Sequence, residues 1–124
     1  MNTSIEVPVS LGELIDKVTI LEIKILNGID EAQHELAELM KVYDKVDDSL
    51  LIKYLMSVLM SINLEIWKVE EEKRKYEEHQ DFDDDFIDIA RSVYYLNDLR
   101  AEVKRKINTA AKSEIKEYKS HKGY

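Results

Sequence analysis

One apolar stripe constrains this chain more than any other feature, and one residue interrupts it. Ile89, Val93, Leu96, Val103, Ile107 and Ala110 lie at helical spacing, so they share one face of a long helix. Arg100 falls in the middle of that face. An unpaired charge in a buried seam is costly, so Arg100 needs either a partner carboxylate or a ligand. Beside it runs a mixed stripe of Ala90, Tyr94, Asn97, Ala101, Lys104 and Asn108, small and polar where a purely structural helix would be apolar.

The rest of the chain reads as helix too. Ser10 followed by Glu13 is a capping box, which starts a first helix over Leu11–Leu26 with Leu11, Leu14, Ile15, Val18, Leu21 and Ile25 inward. Asn27-Gly28 ends it. Asp30 caps a second helix over Glu31–Tyr43. A long third helix runs from Ser49 to about His79, with its seam at Ile52, Leu55, Leu59, Ile62, Ile66, Val69 and Tyr76. Asp83, Asp84 and Asp85 suit the positive end of a fourth helix, from about Phe86 to Ala111 and at most to Lys119. Residues 1–9, with Pro8, form an extended arm, a short strand or a docked segment; residues 120–124 form a loose tail. The expected fold is all-α: one helical domain over residues 1–124, a bundle of two long and two shorter helices with a short extended N-terminal arm. The long helices each measure roughly 40 Å at 1.5 Å per residue, too long for so short a chain to cover, so at least a homodimer is expected.

Composition narrows the function. Apolar residues are 44% of 124, enough for a core, and charged residues 35%, which suits solvated helices. With no Cys there are no disulfides, thiolate metal sites or cysteine nucleophiles. No signal peptide or membrane-length apolar run stands out, so a cytoplasmic chain is expected. The net charge of −8 argues against nucleic-acid binding, although a local basic pocket can still hold a small anion. His34, His79 and His121 lack ligand spacing, and Asp81 to Asp85 lack the glycine and glutamate of a calcium loop, so neither a metal nor another cofactor is expected.

The polar residues on inward faces form the candidate site. Lys17, Lys24, Arg91, Arg100 and Lys104 supply positive charge, and arginine suits bidentate binding of carboxylate or phosphate. Trp67 and Tyr94 can stack on a flat ring, while Asn63 and Asn97 can read its polar edges. Glu13, Asp16, Glu70 and Asp98 are supporting carboxylates. The plainer alternative pairs Arg100 with Asp16 or Glu70, and Asp98 with Lys17 or Lys24, as locks between helices.

Two segments, Val7-Pro-Val-Ser-Leu-Gly-Glu-Leu-Ile-Asp-Lys-Val-Thr-Ile-Leu-Glu-Ile-Lys24 and Ala90-Arg-Ser-Val-Tyr-Tyr-Leu-Asn-Asp-Leu-Arg-Ala-Glu-Val-Lys-Arg-Lys-Ile-Asn108, resemble the signature blocks of a small all-helical family of unknown function. Asn63-Leu-Glu-Ile-Trp-Lys-Val-Glu70 resembles its middle block. The resemblance implies a bacterial or phage source and no particular activity. Its polar positions coincide with the candidate site.

The favoured expectation is non-catalytic binding of a small anionic, ring-bearing ligand, plausibly a nucleotide-derived signal sequestered as in phage counter-defence. A helical enzyme, resembling nucleotide pyrophosphohydrolases or chorismate mutases, is one alternative. A protein-interaction or oligomerisation module is another, in which Arg100→Met is tolerated or stabilising.

Overall fold

Each helix begins and ends on a local signal. The computed structural model describes residues 3–112 and has, among them, four α-helices and no strand: α1 (Leu11–Leu26), α2 (Ala32–Tyr43), α3 (Leu50–Glu78) and α4 (Asp84–Ala110). The expected tail at residues 120–124, and any extension of α4 to Lys119, lie outside the described residues. Ser10 Oγ accepts the Glu13 N–H at 3.2 Å, which starts α1. Only this half of the capping box forms, because the Glu13 carboxylate turns away to meet Lys104 Nζ at 2.7 Å. Ser49 and Asp83 cap α3 and α4 in the same way. α2 starts one residue later than its sequence suggests, with Glu31 at its N-cap and no side-chain cap bond.

Two of the ends share one geometry. At Gly28 (φ 84°) the Ile29 N–H donates to Lys24 O at 2.9 Å and the Gly28 N–H to Ile25 O at 3.0 Å. The end of α3 repeats the pattern: Asp81 N–H donates to Tyr76 O at 2.9 Å and Gln80 N–H to Glu77 O at 3.1 Å. There the left-handed position is occupied by Gln80, at φ 53°. This turn closes α3 and α4 into an antiparallel hairpin.

α1 lies against that hairpin and touches both of its helices, while α2 packs on α1. The core gathers Leu14, Ile15 and Val18 of α1, Tyr43 at the end of α2, Ile52, Leu55 and Leu59 of α3, and Val103 and Ile107 of α4. Part of α3 is long and apolar enough to cross a membrane by length and composition. The same composition gives it Ile52, Leu55 and Leu59 for the core.

The hairpin outruns its cover. The buried residues of α4 are Val103, Lys104, Ile107 and Asn108, all near its C-terminal end. Toward the other end Val69 is still buried, and at the turn rings pack: Phe86 lies 6.1 Å from Tyr76 and 5.2 Å from Phe82, centroid to centroid. The arm, residues 3–9, is exposed throughout and forms neither helix nor strand.

Gly12 marks the closest approach of α1 to α4. A Cβ at this position would stand 2.5 Å from Lys104 O and 2.8 Å from Asn108 Oδ1. Two substitutions should therefore act against simple helix propensity. Gly12→Ala should lower stability, although alanine favours helix, because backbone rather than a flexible side chain would have to move. Gln80→Gly should raise stability by about 1 kcal/mol by relieving the left-handed backbone. Urea denaturation monitored by circular dichroism measures both.

Candidate functional site

Asp16 is the centre of the polar set. It is 1% exposed, one turn into α1, and faces both hairpin helices. Arg100 grips its carboxylate from α4: Nε donates to Oδ1 at 2.9 Å and to Oδ2 at 3.2 Å, and Nη2 donates to Oδ2. From α3, Asn63 Nδ2 donates to Asp16 Oδ1 at 3.0 Å and to Thr19 Oγ1 at 2.9 Å. The Thr19 hydroxyl in turn donates to the Asp16 carbonyl at 2.8 Å. Lys104 Nζ bridges the two acids, 2.7 Å from Glu13 and 3.9 Å from Asp16 Oδ2. Asn97 Oδ1 accepts from Arg100 Nη1 at 3.4 Å on the outer edge.

Among the described residues the set is balanced. Two carboxylates, Glu13 and Asp16, face two cations, Arg100 and Lys104. Between the two partners the sequence offered for Arg100, the fold takes Asp16. Glu70 instead pairs with Lys73 on its own helix at 3.4 Å. Next to the set, Asn108 Oδ1 accepts the Gly12 N–H at 2.7 Å, while its buried Nδ2 has no hydrogen-bond partner among the described residues. Gly12 was not a candidate from sequence, although a glycine in the first turn of a helix is a signal of close backbone approach; Asn108 was read only as part of the mixed stripe of the last helix.

Arg91 and Tyr94 do not join this set. Arg91 is nine residues from Arg100, about two and a half turns at 3.6 residues per turn, so it projects from the opposite side of α4. There it lines an open groove of about 460 Å³ with Phe86, Ile87, Ala90, Tyr94 and Tyr95. The groove is apolar apart from the Arg91 guanidinium and the tyrosine hydroxyls. Tyr95, 57% exposed, stands edge-on to Tyr94 with ring centroids 6.2 Å apart. Ile87 and Tyr95 escaped the sequence reading, which followed the inward face only.

The remaining candidates are dispersed. Lys17 is exposed on α1, and Lys24, Trp67 and Asp98 are half-buried. Among the described residues no group of three or more His, Asp or Glu could share a metal ion.

The protein-interaction-module alternative expects Arg100→Met to be tolerated; the ion pair with Asp16 predicts the opposite. The single substitution strands a buried carboxylate and should cost about 3–5 kcal/mol, whereas Asp16→Leu combined with Arg100→Met should recover most of that loss, since Lys104 keeps Glu13. Equilibrium unfolding of both single variants and the double variant tests this. Additive losses in the double variant would contradict the pairing.

No curated protein and no solved structure matches the chain. The model of a family of unknown function, DUF6165, matches residues 5–124, from the arm through all four helices to the end of the chain. The protein belongs to that family.

Proposed function

We propose that the chain binds a small anionic, ring-bearing ligand without transforming it, and that it does so in the groove on the outer face of α4. The observation that carries this reading is the groove itself. One guanidinium, two tyrosine rings and an apolar floor meet there, open to solvent, in a space that fits an aromatic ring with an attached acid group. Arg91 would hold a phosphate or carboxylate through charge-assisted hydrogen bonds. Tyr94 and Tyr95 would stack on the ring. Nucleotides have this chemistry, and a nucleotide-derived signal held out of circulation, as in phage counter-defence, is the setting we propose.

The buried set supports the same choice by default. Arg100 and Lys104 already face Glu13 and Asp16, so an anion entering there would first have to displace a buried carboxylate. The enzyme alternatives have less support. Glu13, the acid a pyrophosphohydrolase-like reading would use, is engaged by Lys104.

Thermal-shift and calorimetric titration with AMP, GMP, cyclic di-AMP and cyclic di-GMP tests the proposal. At least one should stabilise the protein and be recovered intact. Arg91→Ala should weaken that binding at least about tenfold, the loss of one hydrogen bond to a charged group, with the melting temperature of the free protein unchanged. Arg100→Met should unfold the protein more easily without this selective loss. No stabilisation across the panel, or turnover of the ligand, would overturn the reading.

A further inference from the structure

The arm and the far end of the hairpin present a second problem in exposed apolar surface. Ile5, Val7 and Val9 alternate along the arm, so in an extended conformation they share one edge of it. All three are exposed, Ile5 at 80%. A second groove, about 390 Å³, lies between the start of α3 and the end of α4. Leu51, Leu55 and Ala110 supply its apolar floor, and Glu102, Arg105, Lys106 and Thr109 its α4 rim. Lys106 pairs with Glu102 at 3.5 Å, which leaves the rim with a net positive charge from Arg105. The one charged residue among the described residues of the arm is Glu6.

Position decides whose arm fits. The arm leaves α1 at Ser10, beside Gly12, which is bonded to Asn108 on α4. Lys104 and Asn108 face α1, whereas Glu102, Arg105, Lys106 and Thr109 project from the other side of the same turns. The groove therefore lies across α4 from the point where the chain's own arm departs. Pro8 stiffens the arm just before it enters α1.

We propose that this groove receives the arm of a second copy of the chain, so that two copies exchange arms reciprocally about a two-fold axis. Ile5, Val7 and Val9 lie along the Leu51–Leu55–Ala110 floor, and Glu6 lies under the long Arg105 side chain. Each copy loses two exposed apolar patches at once. The exchange is independent of ligand binding at the α4 groove, and each can fail without the other.

The absence of cysteine makes the test direct. Two differently tagged chains, one with Val7→Cys and one with Leu51→Cys, are mixed and oxidised gently. A disulfide joining the two tags is expected, while Gln33→Cys, exposed on α2, should give no such product with Leu51→Cys. Light scattering should show a dimer for the native chain and a monomer for Ile5→Asp/Val7→Asp, whose melting curve at low concentration stays native. The groove-side variant Arg105→Glu should weaken the dimer, and Glu6→Lys combined with it should restore it. A native chain that stays monomeric at every concentration would overturn the proposal. So would a Val7→Cys/Leu51→Cys chain that closes only on itself while the mixture yields no joined tags, since that result places the arm in its own groove.

Discussion

The carboxylate of Asp16 is the point on which three helices agree. Apolar stripes bring α1, α3 and α4 together, but apolar packing alone tolerates small slips and rotations. A buried charge does not. Asp16 has to meet Arg100 and Asn63 at once, and Arg100 reaches it with two nitrogens in a fixed plane. A slip of one residue on any of the three helices would leave a charge buried without its partner. The close approach at Gly12 strengthens the constraint, because the backbone of α1 meets the backbone of α4 one turn from Asp16. Register here is set by polar geometry, while apolar burial supplies the bulk of the attraction.

Neutrality follows from the same arrangement and bears on function. A cluster of cations attracts an anion only if its charge is left over after the neighbours are counted. Among the described residues Glu13 and Asp16 face Arg100 and Lys104, and Asp16 is itself held by donors from two helices. Residues that look from sequence like an anion site can thus be a closed network. Arg91 differs in kind: it stands among rings and aliphatic carbons on an open surface.

The sequence was legible where signals are local. Ser10, Ser49 and the Asn27-Gly28 pair set the ends of α1 and the start of α3 as read, since caps and left-handed stops act over three or four residues. Phe86 was read as the start of α4 with Asp83, Asp84 and Asp85 before it at the positive end, yet Asp83 is the N-cap and the helix starts at Asp84, two residues earlier. Gln80 gave no warning of a left-handed turn, since its type does not favour one. The choice of Asp16 over Glu70 was out of reach, because it depends on how α1 lies across the hairpin. So was the diversion of Glu13 from its cap to Lys104. The separation of Arg91 from Arg100 was within reach: nine residues of helix suffice to place them on opposite sides.

That separation links the buried network to the surface. An α-helix has little freedom to twist about its own axis, so fixing one residue fixes the direction of all the others. By holding Arg100 inward, Asp16 turns Ile87, Arg91, Tyr94 and Tyr95 away from the core. The half of α4 that carries them has no fully buried residue and is held by half-buried contacts to α3, among them Phe86 against Tyr76. The groove therefore takes its direction from these contacts together with the ion pair about two and a half turns from Arg91. Weakening that pair lowers the stability of the bundle, while the contacts to α3 keep Arg91 and the two tyrosines on the outer face. The polar interruption in the seam thus helps a long and partly uncovered helix to present one particular face to solvent.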